Sequence, residues 1–301
     1  MEREKQYPAP VVIGALGGSG TRIYAEILRE IGFYIGSDLN PPLDNLWFTL
    51  LFKRPRWFEK HYKNNKSEIS KALLIFEKAM VGDLKPKFDE FLFIMKAATE
   101  WSIWGNHFHA KGNSGRGIWP FFRVLSMLLN KKTDISKYIG WGWKEPNTHI
   151  YLEYLNDYFE HLRYIYVVRH GLDMAYSENQ AQLYNWGKLL GVKESANSVP
   201  QPKRALQFWI KTNERIITLS QKMESNRFLL ANFDELCLNP RNEIIKIIHF
   251  LGLNINQVNI DKLECLPSVP KSSGRYQKQD LTLFDKDEIE AVRKFGFKVN
   301  D

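Results

Sequence analysis

The stretch Val11-Val12-Ile13-Gly14-Ala15-Leu16-Gly17-Gly18-Ser19-Gly20-Thr21-Arg22 decides the fold. Its first half is apolar and β-branched, and it runs into a turn of glycines around Ser19. Such a run reads as a buried strand ending in a tight turn. Ile23, Ile27, Leu28 and Ile31 then recur at helical spacing until Gly32 stops the pattern. A strand, a glycine loop and a helix in this order bring backbone N–H groups and the positive end of a helix dipole to one point, which suits a phosphate. Glycine lets the backbone approach an anion without a Cβ clash, Thr21 adds a hydroxyl, and Arg22 adds a cation. An unliganded turn between strand and helix uses the same geometry.

Two familiar phosphate loops do not fit. A nucleoside triphosphate loop needs Gly, four residues, then Gly-Lys-Ser/Thr. With its second glycine at Gly20, Ala15 falls on the first glycine and Thr21 on the lysine. Gly14, Gly17, Gly18 and Gly20 do not keep the G-x-G-x-x-G spacing of dinucleotide-binding folds either.

Outward from this stretch, strands alternate with helices. Residues 37–72 read as irregular around Pro41-Pro42 and then strongly basic, and 84–104 and 120–130 read as amphipathic helices. A glycine-rich loop spans 106–117, with His107 and His109 in it. Further strands are expected at 139–143, 163–168 and 228–233, with helices after each and a last helix near 285–295. This alternation predicts an α/β fold, a central parallel sheet flanked by helices. The whole chain, 1–301, reads as one α/β domain with a mostly helical insertion over 37–138.

The 301 residues are 44% hydrophobic and 25% charged, a globular composition with length enough for a large core. Cys237 and Cys265 are the two cysteines, too few for a disulfide scaffold or a multi-cysteine zinc site. No secretory signal or spanning segment is visible, so a soluble cytoplasmic protein with reduced cysteines is expected, and no metal. The net charge is +8, which favours an anionic partner. Seven Lys/Arg between Leu51 and Lys71 against Glu59 and Glu68 supply much of it.

Gly18-Ser19-Gly20-Thr21-Arg22 resembles the 5′-phosphosulfate loop of sulfotransferases that use 3′-phosphoadenosine 5′-phosphosulfate (PAPS). That loop usually reads Lys/Arg-Ser/Gly-Gly-Thr-Thr/Arg. A second stretch, Arg169-His170-Gly171-Leu172-Asp173-Met174-Ala175-Tyr176-Ser177, resembles the family's Arg-(Asp/Asn)-Pro-x-Asp-x-x-x-Ser, whose Arg and Ser bind the 3′-phosphate. Lys144-Glu145-Pro146, 25 residues before Arg169, resembles the Lys-Thr-Pro or Lys-Thr-His segment. Trp209 to Asn213, Asn232 to Leu236 and Phe250-Leu251-Gly252 are similar to the C-terminal pattern of bacterial members. Ser272-Ser273-Gly274-Arg275-Tyr276 is similar to a late loop that reaches the 3′-phosphate. The order holds from Val11 to about Phe297. The chain departs from the pattern at Gly18, where most members carry Lys or Arg, and at His170-Gly171.

The resemblance implies a P-loop NTPase-like sulfotransferase fold and transfer of a sulfuryl group from PAPS to a hydroxyl or amine acceptor, with 3′-phosphoadenosine 5′-phosphate (PAP) as product. Gly17, Gly18, Ser19, Gly20, Thr21, Arg22, Arg169, Ser177, Gly274 and Arg275 would hold the nucleotide. Sulfuryl transfer is in line and loose, so positioning and charge stabilisation dominate. Lys144 would stabilise the leaving 5′-phosphate oxygen, with the loop amides as an oxyanion hole. A hydroxyl acceptor needs a general base. Asp44 ranks first, followed by Asp38, with His107, His109, Glu145 and His149 also available. The insertion would shape a site for a small-molecule, carbohydrate or lipid acceptor, with Trp47, Trp57, Trp101, Trp104, Trp119, Trp141 and Trp143 in or beside it.

Other readings compete with this one. A P-loop-like kinase or NTPase lacks its lysine here. A nucleic-acid-binding protein would use the 51–71 segment, where Trp57 and Tyr62 interleave with cations as single-strand stacking requires. A non-catalytic PAPS binder would follow from Gly18.

Overall fold

The computed structural model describes residues 8–63, 65–104, 117–130, 133–192 and 199–299. The glycine-rich loop with His107 and His109 lies outside them. Five strands, β1 (Val11–Ala15), β2 (Phe33–Tyr34), β3 (Gly140–Lys144), β4 (Arg163–Val168) and β5 (Phe228–Asn232), form a sheet in the order β2-β3-β1-β4-β5. β2 pairs parallel with β3, and β4 parallel with β5. Parallel neighbours need crossover connections, and helices supply them, so the fold is α/β. Helix α1 (Thr21–Ile31) follows the glycine loop. The chain divides into two compact units, Met1–Val12 with Leu28–Leu162, and Ile13–Ile27 with Arg163–Asp301.

The first unit holds β2, β3 and helices α2 (Leu46–Phe52), α3 (Pro55–His61), α4 (Lys66–Met80), α5 (Phe88–Trp104), α6 (Trp119–Leu129) and α7 (Leu152–Tyr158). β3 reads Gly-Trp-Gly-Trp-Lys, and the strand period of two explains it. Trp141 and Trp143 enter an aromatic core in which Trp143 lies 4.7 Å from Phe76 and 5.9 Å from Phe48. The glycines stand where neighbours press in. A Cβ at Gly142 would lie 1.9 Å from the Val11 carbonyl oxygen, and one at Gly140 2.5 Å from the Phe33 ring. Burying each large aromatic stabilises the core by roughly 1.5–3 kcal/mol.

The stretch 37–72, expected to be irregular and then basic, carries α2, α3 and the start of α4. Every residue of α2 is buried, so it shows none of the one-sided apolar spacing that marks a surface helix. Arg54, in the basic run, is buried and forked onto Glu100 at 2.6 and 2.7 Å. Trp57, which the nucleic-acid reading needs on the surface, is buried under that guanidinium at 4.6 Å. Trp47, Trp101, Trp141 and Trp143 are buried too.

The second unit holds β4, β5 and helices α8 (Gly171–Ala175), α9 (Ala181–Trp186), α10 (Gln201–Ser220), α11 (Phe233–Leu238), α12 (Pro240–Phe250), α13 (Ile260–Glu264) and α14 (Lys286–Lys294). Trp209 of α10 donates its Nε1–H to the Arg169 carbonyl oxygen at 3.0 Å. Gly171 packs flat against it. A Cβ there would come within 3.1 Å of the Trp209 ring and 3.0 Å of Val292. Among the described residues, no helix is long and apolar enough to cross a membrane.

Candidate functional site

The glycine loop turns tightly at two left-handed residues, Gly18 (φ 95°) and Gly20 (φ 83°). Ser19 donates its backbone N–H to the Leu16 carbonyl oxygen at 3.1 Å, and Gly17 donates its own to Gln182 Oε1 at 3.0 Å. Gly20 has a second reason to be glycine, because a Cβ there would lie 2.1 Å from the Phe233 ring. The amides of Thr21 and Arg22 belong to the first turn of α1, whose donors a helix cannot satisfy itself. Ser19 and Thr21 are buried, whereas the Arg22 side chain is exposed and paired with Glu26 at 2.8 Å.

Arg169 stands at the end of β4 and is 5% exposed. Its guanidinium donates to the Gly18 carbonyl oxygen at 3.0 Å and to Ser272 Oγ at 2.9 Å, with Ser273 Oγ at 3.5 Å. Its Nε is buried with no hydrogen-bond partner. The Phe233 ring lies 5.2 Å away. Burial pulls the Arg169 pKa below its ordinary value, and the Asp234 and Asp173 carboxylates oppose this. Burial likewise raises the Asp234 carboxyl above the usual carboxylate range, against the His170 amide bond and the charge of Arg169. No ion pair joins Arg169 to either carboxylate among the described residues. Asp173 is used elsewhere, accepting the amides of Gly274 and Tyr276 at 2.8 and 3.2 Å.

Ser177 reaches the same place. Its Oγ accepts the Asn179 amide at 3.2 Å and would lie 3.8 Å from a Cβ on Gly18. Arg275 folds back, donating its Nε–H to the Ser272 carbonyl oxygen at 3.0 Å, with an Nη1 contact to Tyr176 O at 3.5 Å. Gly274 supplies the left-handed residue (φ 75°) that turns the segment. His170 stacks on Tyr276 with centroids 4.4 Å apart and lies 3.0 Å from the Lys298 carbonyl oxygen through Nε2. So the second unit gathers the glycine loop, Arg169, Ser177, Gly274 and Arg275 into one neighbourhood. A buried guanidinium with an orphaned Nε, serine hydroxyls and free helix-start amides can bind a phosphate monoester. Gln182, which fixes Gly17, gives no sequence signal, since a polar residue on a short helix is ordinary.

Lys144 and Asp44 lie together in the first unit. The Lys144 ammonium, 3% exposed, donates to the Asp44 carboxylate and to the Pro42 carbonyl oxygen at 2.9 Å. The turn that presents Asp44 is closed by Asn40, whose Oδ1 accepts the Asp44 amide at 2.7 Å and whose Nδ2 donates to Asp44 Oδ2 at 2.9 Å. Leu43 pays for the turn with a left-handed φ of 65°. Asn45 ties it to β3 by donating its amide to the Lys144 carbonyl oxygen at 2.8 Å.

The other acid–base candidates are packed into the structure. Asp38 is buried, accepts from Asn130 and Ser37, and lines a cavity of about 50 Å³ with Tyr34, Trp47 and Met127. Burial raises its carboxyl above the usual range, against the charge of Arg123. Glu145 is buried, and its carboxylate accepts the Asn147 amide at 2.6 Å. Burial pushes it up to about 7. His149 is buried in the turn that follows.

A family profile described as "Sulfotransferase family" matches residues 10–257. No curated protein matches the chain significantly. Among solved structures it is similar to the sulfotransferase domain from the curacin biosynthetic pathway, at 13% identity and TM-score 0.46, over 98% of this chain and all of that one. It is also similar to the sulfotransferase domain of the Synechococcus PCC 7002 olefin synthase, at 14% identity and TM-score 0.45, over 100% of this chain and 99% of that one. A third is the sulfotransferase STF1 from Mycobacterium tuberculosis H37Rv, at 14% identity and TM-score 0.41, over 86% of this chain and 71% of that one.

Proposed function

The chain belongs to the sulfotransferase family, and from that premise we propose that it transfers a sulfuryl group from PAPS to a hydroxyl or amine acceptor, releasing PAP. One observation carries the choice of donor. The buried Arg169 guanidinium keeps its Nε without a partner while sharing its other nitrogens with the Gly18 carbonyl and the Ser272 hydroxyl. An uncompensated buried donor is costly, and a phosphate monoester would relieve it. The same cluster borders the glycine loop, as a nucleotide phosphorylated at both ends of its ribose requires.

In this reading the amides of Gly18, Gly20 and the first turn of α1, with the Thr21 hydroxyl, hold the 5′-phosphosulfate. Arg169, Ser177, Gly274 and Arg275 hold the 3′-phosphate. The bond from sulfur to the 5′-phosphate oxygen breaks as the bond to the acceptor forms, and the acceptor's proton passes to a base. Lys144 neutralises the leaving oxygen, and Asp44 takes the proton. Their ion pair holds the ammonium in place. A reducing compartment, the cytoplasm, suits Cys237 and Cys265, both free thiols.

The test is turnover. With PAPS and a panel of sugar, phenol, lipid and amine acceptors, wild-type protein should release PAP, and Lys144→Ala should release at least 100-fold less (about 2.7 kcal/mol). Wild-type rates from Lys144→Ala would remove Lys144 from the leaving-group role. No transfer to any acceptor class, together with no PAP binding, would remove the donor assignment.

A further inference from the structure

Ser272, Ser273 and Arg275 sit on a segment whose only regular structure is a single 3-10 turn at Arg275–Lys278. Without a ladder of backbone bonds, side-chain anchors must set its position. His170 stacks on Tyr276, and the Tyr176 hydroxyl donates to the Asp280 carbonyl oxygen. These hold the segment from Tyr276 onward. Upstream, where the serines face Arg169, the anchor is Asp173.

We infer that Asp173 is a positioning residue, which clamps the 272–276 segment against the Arg169 guanidinium and so sets the preference for a 3′-phosphorylated nucleotide. The ligand in this statement rests on the donor proposed above. The clamp rests on geometry. Asp173 is 2% exposed, and each carboxylate oxygen takes one amide, Oδ2 from Gly274 and Oδ1 from Tyr276. The two amides flank Arg275, so the carboxylate fixes the backbone on both sides of it. Ser273 and Ser272 precede Gly274 directly, and they are the residues that meet Arg169. Hydrogen bonds from amides to a buried carboxylate are stronger than neutral ones. Asp173 and Arg169 also sit on one short connection, the end of β4 and the start of α8, so one element sets both the cation and the strap over it.

The chemistry needs a carboxylate. An asparagine keeps one acceptor oxygen and turns an NH2 group toward the other amide, donor against donor. Asp173→Asn should therefore release one side of the strap and keep the shape of the side chain.

The experiment uses the full chain and two probes, adenosine 3′,5′-bisphosphate and adenosine 5′-monophosphate. Asp173→Asn should bind the bisphosphate at least tenfold more weakly (about 1.4 kcal/mol) and the monophosphate within twofold of wild type. Amide hydrogen exchange supplies the second readout. The Gly274 and Tyr276 amides should be protected in wild type and lose protection in Asp173→Asn, while those of β4 keep it. An unchanged ratio of the two affinities, or unchanged exchange at Gly274 and Tyr276, overturns the inference. Should Asp173→Asn fail to fold, fast exchange of both amides in the wild-type protein overturns it equally. A wild-type protein with no preference for the bisphosphate contradicts the donor assignment, and exchange then still decides the clamp.

Discussion

The Lys144 ammonium and the Asp44 carboxylate form an ion pair at the end of β3. One closes a strand and the other closes a strained turn a hundred residues earlier. The Lys144 side chain is 3% exposed and that of Asp44 18%. Taking one partner from such a pair strands a charge, at roughly 3–5 kcal/mol when fully buried. Asp44→Ala should destabilise the protein by about 3 kcal/mol. The double variant Asp44→Ala with Lys144→Met should be more stable than Asp44→Ala alone. Urea unfolding of the two single variants and the double reads this directly. Simple additivity of the single losses would show the two groups to be independent.

Gly18 and Gly20 share a left-handed backbone and differ in surroundings. Alanine at either position adopts a conformation that costs roughly 1–2 kcal/mol. At Gly18 the new methyl meets nothing closer than 3.7 Å, whereas at Gly20 it meets the Phe233 ring at 2.1 Å. Overpacking of that kind adds roughly 1–3 kcal/mol. Gly20→Ala should therefore be the more destabilising by at least ~1 kcal/mol, and Phe233→Leu should recover part of its loss. Equal losses at the two glycines would contradict the close approach.

Glu145 gives a pH signature. Its carboxyl is pushed up to about 7, first by burial and then by Asp44, with Lys53 opposing. Unfolded, it titrates near ~4.3. Between those values the folded chain keeps a proton that the unfolded chain has lost, so this contribution is complete below ~4.3 and disappears as pH rises through about 7. Glu145→Gln removes the titration. The variant should match wild type near pH 4.5 and exceed it by roughly 3–4 kcal/mol near pH 8. A stability difference independent of pH would contradict a neutral Glu145 in the folded state.

The fold was legible where pattern and chemistry agree. The apolar run at Val11, the glycine turn and the strand at Arg163 each follow from local rules, and the structure places strands and loop there. α2 was not legible, because a helix buried on every side carries no periodic signal. β2 was not either, since two residues are too few to show alternation. In the candidate site, Arg169, Ser177 and the Ser272–Arg275 segment could be singled out by their resemblance to sulfotransferase motifs. That Lys144 would meet Asp44 could not, because the contact depends on a turn held by Asn40 and by the left-handed Leu43. Asp173 was visible as a member of the Arg169–Ser177 stretch with no role of its own, and its bonds to Gly274 and Tyr276 depend on how distant loops dock.

In the proposed function, Arg169 and the glycine loop read a nucleotide phosphorylated at both the 3′ and 5′ positions. Calorimetric titration of the full chain with PAP and with ADP tests it most directly, alongside Arg169→Ala. PAP should bind at least tenfold tighter than ADP (about 1.4 kcal/mol), with the advantage lost in Arg169→Ala. Equal affinities for PAP and ADP in the wild-type protein, or a preference that survives Arg169→Ala, would contradict it.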